Sequence, residues 1–250
     1  GQAAQGELVI PGTVTYDGTT YSVTEIKEGA FYFYTGLEHL TIGDGVEIIG
    51  RSAFERCSGL TGDLVIPKSV NAIRLNAFYL CSGLESLTIE EGVEFIGESA
   101  FDGCTSLAGD LVIPNTVYEI GIDAFYDCHG FDGNLVLPDN LAVISTHAFY
   151  NCHGFTGNLI IPESVVMINW GAFEGCSGFT GDLVIPNSVE DIGPLAFSGC
   201  SGFDGKLTIG NSVRVIEGHA FEFCTGFYGD LVIPNSVEEI GSLVFWGCEK

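Results

Sequence analysis

Short apolar segments alternate with turn residues along nearly the whole chain. In one example, residues 183–185 read Leu-Val-Ile, which suits a short strand, and the following Pro186-Asn187 ends that strand. A second apolar pair lies at Val189 and Ile192, and residues 196–200 have the spacing of a single helical or 3₁₀ turn. No segment is long enough for an ordinary amphipathic helix. The pattern therefore predicts short strands joined by tight turns.

This pattern recurs every 23 or 24 residues, and each copy contains a phenylalanine that nearly always follows an alanine. The ten copies place this residue at Phe31, Phe54, Phe78, Phe101, Phe125, Phe149, Phe173, Phe197, Phe221 and Phe245. Ten copies at near-constant spacing indicate a repeat architecture, in which each copy is one coil that cannot form a core alone.

The side chains that point inward follow from the same pattern. In the copy that begins at residue 179 they are Phe179, Leu183, Ile185, Val189, Ile192, Ala196, Phe197 and Cys200. Stacked coils would bury these faces against one another. We therefore predict a repeat solenoid of ten coils, with one parallel sheet of short strands about 4.8 Å apart and short 3₁₀ or helical turns.

The repeated motif L-x-I-P-x-S-V-x-x-I-G-x-x-A-F-x-x-C resembles the BspA-like leucine-rich repeat of bacterial surface proteins, over residues 8–248. That resemblance implies a leucine-rich-repeat solenoid that is secreted or held at the cell surface. It further implies a binding or adhesion role towards host or neighbouring-cell proteins, without catalytic residues. These implications are expectations that the structure and the comparisons below can test.

The start of the chain differs from the other copies. Residues 8–26 are similar to the first unit of such domains, in which an inserted turn, here around Asp17-Gly18, lengthens the coil. We predict that residues 1–30 form an N-terminal capping coil with a hairpin insertion. Residues 31–250 then form the leucine-rich-repeat solenoid, continuous with the cap.

The net charge excludes several classes of partner. Eight basic residues against 33 acidic ones give −25, so nucleic acid and acidic membrane surfaces would be repelled. The apolar content of 46% argues against intrinsic disorder. No apolar run is long enough to span a membrane, and GQAAQG at the start lacks the features of a signal peptide. The end at Cys248-Glu249-Lys250 comes before any closing turn, so we expect a longer protein with an extracellular or cell-surface location.

The nine cysteines and their neighbouring histidines at first suggest a metal or nucleophile site. All nine cysteines lie three residues after a repeat phenylalanine, so they form one inward column, which we interpret as buried free thiols. His129 and His153 instead occupy a column that is Ser or Thr in other copies and faces solvent. An inward thiol and an outward imidazole do not converge on one ion, and zinc needs about four ligands. No Ser-His-Asp or Cys-His pair remains.

Two outward columns are candidate binding surfaces. The middle residue of each strand is usually aliphatic, and exposed apolar stripes often bind partners. Its aliphatic members that we propose as binding residues are Val65, Val112, Val136, Ile160, Val184 and Val232. The position after the repeat phenylalanine holds aromatic residues that could stack on sugars or anchor a protein, namely Tyr79, Tyr126 and Tyr150. An alternative interpretation is that both columns only suit exposed sheet and turn surface.

Acidic columns flank the strands, but they match no calcium-binding loop, and a regular solenoid offers no cleft for a carboxylate pair. We therefore predict a protein that is not an enzyme and uses no cofactor or metal. The expected function is protein–protein binding at the cell surface, and the alternative is a surface glycan-binding protein. Neither prediction involves nucleic acid or a transmembrane segment.

Overall fold

The computed structural model describes residues 6–248, and these form a solenoid of stacked coils without a helix. The Leu-Val-Ile segment at the start of a coil forms a strand in eight of the coils, and in a further coil Ile160 forms an isolated bridge to Val184. These strands are β1 (Gly6–Ile10), β5 (Leu37–Ile42), β7 (Gly62–Ile66), β9 (Leu84–Ile89), β11 (Leu111–Val112), β13 (Leu135–Val136), β16 (Leu183–Val184) and β18 (Leu207–Thr208). We call this row the first ladder. Its strands pair in parallel, as in β7 with β9, where Val65 lies opposite Thr88.

A second row of two-residue strands, the second ladder, follows the Pro-Asn turn. It consists of β4 (Glu25–Ile26), β6 (Ile48–Ile49), β8 (Ala72–Ile73), β10 (Phe95–Ile96), β12 (Glu119–Ile120), β14 (Val143–Ile144), β15 (Met167–Ile168), β17 (Asp191–Ile192), β19 (Val215–Ile216) and β20 (Glu239–Ile240). The predicted solenoid of parallel strands is confirmed, but each coil adds this second strand to the single one expected. A two-residue strand is too short to be recognised from its sequence pattern. It forms because the stacking of similar coils supplies its hydrogen bonds.

The second ladder is continuous except at one place. It forms two five-stranded parallel sheets, and these meet between β12 and β14 without strand pairing. At that junction the Ser145 hydroxyl donates to the carbonyl of Ile120 at 2.5 Å. A side chain thus connects the two coils where strand pairing is interrupted.

The Ala-Phe segment forms a third row of bonds between coils, but it is neither strand nor helix. The Phe54 N–H donates to the carbonyl of Ala77 in the next coil at 2.8 Å, while the Ala53 N–H donates within its own coil to Gly50 at 3.2 Å. Such alternation requires residues in the left-handed backbone conformation. Ser52 and Arg56 adopt it, with φ of +51° and +61°. The expected 3₁₀ or helical turn is therefore a sequence of single turns.

The core lies between these three rows. All eight predicted inward side chains of the coil from Phe179 to Cys200 are buried, with exposed fractions of 0–1%. The repeat phenylalanines stack as nearly parallel rings at 5.2–5.6 Å between centroids along the whole solenoid. Five further phenylalanines, from Phe131 to Phe227, stack in a second column.

The cysteine column is confirmed as a row of free thiols, eight of them buried and Cys248 partly buried. Each thiol donates to the carbonyl of the phenylalanine one coil earlier, with S···O distances of 2.9–3.2 Å. Burial raises the pKa of Cys104 and Cys176, so the nucleophilic thiolate is disfavoured there. The column therefore connects adjacent coils.

The inserted hairpin consists of β2 (Thr13–Tyr16) and β3 (Thr19–Ser22), which pair antiparallel around Asp17 and Gly18. Both turn residues have positive φ, as a two-residue hairpin requires. All eight strand residues are exposed. The capping role and the boundaries 1–30 and 31–250 stay predictions, and residues 1–5 and 249–250 lie outside the described residues.

Candidate functional site

The first ladder presents its middle residues to solvent along the solenoid. The exposed fractions of the six proposed aliphatic residues lie between 43% and 73%, and Ile160 is the most exposed of them. Pairing brings them side by side, since Val112 lies opposite Val136, and Ile160 bridges to Val184. Threonines at 41, 88 and 208 interrupt the row. Val65 lies opposite Thr88 in the same ladder, whereas Val232 is exposed but lies in no strand. Strand or bridge pairing thus places five of the six residues on one face.

The three tyrosines of the second candidate column do not form one group. Tyr126 and Tyr150 stack with centroids 4.4 Å apart and planes 8° from parallel. Tyr79 lies in an earlier coil, and the guanidinium of Arg56 lies 5.9 Å from its ring centroid. One face of Tyr79 is therefore occupied within the protein, and only Tyr126 and Tyr150 form a common aromatic surface.

Two residues that the sequence reasoning missed extend this aromatic pair. The His147 ring lies 5.4 Å from Tyr150 and 6.1 Å from Tyr126, both edge to face, and 5.2 Å from Trp170. Trp170 is 50% exposed. Sequence position did not reveal this group, because Trp170 and His147 belong to different columns and meet only once the coils stack.

Three carboxylates crowd together beside the aromatic group. Burial, and after it the charges of Asp123 and Asp127, raise the pKa of Asp102 to about 7. Burial also raises the pKa of Asp123, and the nearby His147 opposes that shift. The His147 Nδ1 atom lies 3.4 Å from Asp123 Oδ1, an oxygen that is buried. The three carboxylates therefore concentrate negative charge beside the aromatic group.

The Cys-His pairs of the sequence separate as predicted. The Cys128 thiol donates inward to the carbonyl of Phe101, whereas the His129 ring stacks on His153 at 5.2 Å. His129 Nδ1 lies 3.3 Å from Asp127 Oδ1. Within the part of the chain that the structure describes, no group of three or more His, Cys, Asp or Glu side chains could hold a metal ion.

The acidic residues before the first-ladder strands have a structural role that the sequence reasoning did not foresee. Asp110 Oδ1 accepts hydrogen bonds from the backbone and side-chain amides of Asn134 in the next coil, at 2.6 and 3.1 Å. Asp182 likewise accepts from the Lys206 N–H at 2.7 Å. These carboxylates connect adjacent coils and are not arranged as an acid–base pair.

Sequence comparison identifies the family of the repeats that carry these outward columns. The family model described as BspA type Leucine rich repeat region matches residues 18–132 and 132–250, with six copies. The chain belongs to this family. BspA-type leucine-rich repeats are generally non-enzymatic interaction modules, so a protein-interaction module is the class of function that follows. The comparison with curated proteins found no match.

Solved structures of other leucine-rich repeat proteins resemble this BspA-type chain. A leucine rich cell surface protein from Faecalibacterium prausnitzii is 25% identical, with a TM-score of 0.62 over 98% of this chain and 73% of that one. The T. pallidum leucine-rich repeat protein is 28% identical, with a TM-score of 0.55 over 79% and 77% of the two chains. A leucine-rich repeat protein from Bacteroides ovatus, 23% identical with a TM-score of 0.55 over 97% and 84%, shows the fold alone. Residues 6–248 contain no helix that is long and apolar enough to cross a membrane.

Proposed function

We propose that this BspA-type solenoid is a non-catalytic binding module at the cell surface, which contacts proteins of a host or of neighbouring cells. One observation carries the proposal: the first ladder presents a row of aliphatic side chains that are 43–73% exposed. Side chains that project from a parallel ladder of paired strands form a broad contact surface, and exposed apolar area of this kind favours association. The cell-surface relative from Faecalibacterium supports the location.

The double variant Val136→Asp with Val184→Asp tests this surface. Both side chains point to solvent, so the fold should be retained, while two carboxylates in the row would have to be desolvated in a complex. We expect the affinity for partners captured from a panel of extracellular matrix and epithelial surface proteins to fall at least about tenfold. Surface plasmon resonance measures the affinity, and circular dichroism confirms folding.

The control variant is Val14→Asp with Ser201→Asp. It adds the same charge at two exposed positions outside the first ladder. This control should bind like the unaltered protein. Full affinity in Val136→Asp/Val184→Asp would show that the first-ladder face does not contact the partner.

A second candidate function is glycan binding, and the Tyr126–Tyr150 stack is the observation that favours it. An outer ring face of the stacked pair can contact the C–H face of a sugar, and Asp127 lies close by as a hydrogen-bond acceptor. We expect any oligosaccharide that this site binds on a glycan array to lose binding in Tyr126→Ala/Tyr150→Ala. Tyr32→Ala, in the same column but outside the stack, is the control. A silent array, or hits that survive the double variant, would remove this candidate.

A further inference from the structure

The outward positions of the second ladder change character in three consecutive coils. The residue directly before each two-residue strand is the first outward position of that coil. It is Glu94 before Phe95–Ile96 and Glu190 before Asp191–Ile192, and three coils lie between these two. In the three coils between them it holds Tyr118, Ala142 and Val166. In the other coils this position holds polar or charged residues, including Asn71 and Arg214, so apolar residues at it are confined to the middle of the solenoid.

The side chains of these coils form an exposed apolar surface, which we call the central patch. Its members are exposed by 36–54%, apart from the partly buried His147. They are Tyr118, Ile122, His147, Val166, Met167 and Trp170. Large apolar and aromatic side chains gathered in one place are typical of the energetically dominant part of a protein interface. The stacked Tyr126 and Tyr150 adjoin the patch through His147.

The surroundings of the central patch are acidic. Exposed Glu119 lies between Tyr118 and Ile122 in the same coil, and Glu98 and Asp191 lie in the coils on either side. No Lys or Arg occurs between Arg74 and Lys206. Histidine is therefore the only basic side chain in this part of the sequence. A partner that carries negative charge would be repelled, and one that carries positive charge would be attracted.

The crowded carboxylates at the edge of the patch indicate where a cation would be held. His147 contacts the rings of Trp170 and Tyr150 on one side and approaches Asp123 on the other. Asp123 Oδ1 itself is enclosed beside His147, but the Asp123 side chain as a whole is 30% exposed, so its charge would attract an ammonium or guanidinium group at the surface. The exposed indole of Trp170 adds a ring face for the same cation.

We infer that the central patch binds a protein segment that presents a Lys or Arg side chain next to an apolar or aromatic one. The aliphatic members Ile122, Val166 and Met167 require apolar contact, which a polar oligosaccharide would not provide along its hydroxyl-bearing edges. The acidic surroundings select the charge of the segment, and the aromatic group anchors it. This surface lies on a different ladder from the one in the proposed function, so either proposal can fail alone.

Four labelled peptides of equal length test the chemistry by fluorescence anisotropy. The first combines Lys with Trp and Leu, the second replaces Lys by Glu, the third replaces Lys by Ser, and the fourth replaces Trp and Leu by Ser. We expect the first to bind at least about tenfold more tightly than each of the others. Its affinity should fall when the salt concentration is raised from about 0.05 M to about 0.5 M. Equal binding of the first and third peptides, or no salt dependence, would overturn the inference.

Variants then locate the binding surface. Trp170→Ala with Ile122→Ser should weaken binding of the Lys-Trp-Leu peptide about tenfold. The matched control, Trp246→Ala with Ile160→Ser, removes the same residue types at exposed positions elsewhere and should leave the affinity within about twofold. Val136→Asp/Val184→Asp, which tests the first ladder, should also leave peptide binding unchanged. Equal weakening by the control, or displacement of the peptide by a neutral oligosaccharide, would assign the binding to another surface or ligand class.

Discussion

Replacing Phe149 with alanine should lower the free energy of unfolding by about 3–5 kcal/mol, which is the usual cost of truncating a fully buried phenylalanine. The Phe149 ring has no solvent exposure and stacks between Phe125 at 5.6 Å and Phe173 at 5.4 Å. Its loss leaves a cavity that two rigid neighbouring rings line. The coils cannot close over it without breaking the backbone bonds that set their spacing, such as Phe149 N–H to Ala172 O at 2.9 Å.

Urea unfolding followed by circular dichroism measures this loss, through the transition midpoint at an unchanged slope. Tyr16→Ala is the control, since Tyr16 is an aromatic side chain of similar size that is 78% exposed, and its free energy of unfolding should change by less than about 0.5 kcal/mol. A loss below about 1 kcal/mol for Phe149→Ala would mean that the core relaxes into the space, contrary to the stacked arrangement.

The same geometry explains why the core could be predicted from the sequence. A period of 23 or 24 residues assigns every position to a column, so one inward side chain implies its equivalents in the other coils. The column pattern predicts that Phe197 and Cys200 point inward, and both are fully buried. It predicts that His129 points outward, and His129 lies partly exposed on the surface. Column membership determines burial here, because stacked coils share one cross-section.

The additional rows of hydrogen bonds could not be predicted in the same way. The strand Asp191–Ile192 is two residues long, and its sequence has no alternation that distinguishes a strand from a turn. The Ala-Phe-x-x-Cys spacing suits a helical turn, but donation from Phe54 to the next coil requires left-handed residues on both sides. Contacts between coils, which a single repeat does not encode, decide both conformations.

The central patch was missed for a related reason. The column of Tyr118 contains mostly polar or charged residues and that of Trp170 mixes polar with apolar ones, so neither column suggests a binding surface when it is taken alone. The patch arises because the Tyr118 column becomes apolar in the middle coils and a neighbouring column contributes Ile122 and Trp170 there. A single column does not show which columns adjoin it in the stacked coils. The contact between His147 and Trp170 shows that their two columns adjoin.

We expect Gly202→Ala to lower the free energy of unfolding by about 3 kcal/mol, at the upper end of the cost of overpacking. A Cβ atom at Gly202 would lie 2.2 Å from the carbonyl oxygen of Ser177 and 2.6 Å from that of Phe179, both backbone atoms of the preceding coil. Neither oxygen can rotate away as a side chain would, so the two coils must separate. Separation weakens neighbouring contacts, including the thiol bond from Cys200 to Phe173.

Two comparisons separate this close approach from other effects of adding a methyl group. At Gly109 an added Cβ meets nothing within 4 Å, but φ is +82°, so Gly109→Ala should cost only the strain of a left-handed alanine, about 1–2 kcal/mol. Ser201→Ala, at an exposed neighbour of Gly202, should change the free energy of unfolding by less than about 0.5 kcal/mol. Thermal and urea unfolding should therefore rank the losses as Gly202→Ala, then Gly109→Ala, then Ser201→Ala. If Gly109→Ala proved as costly as Gly202→Ala, backbone conformation would limit stability more than the distance between coils does.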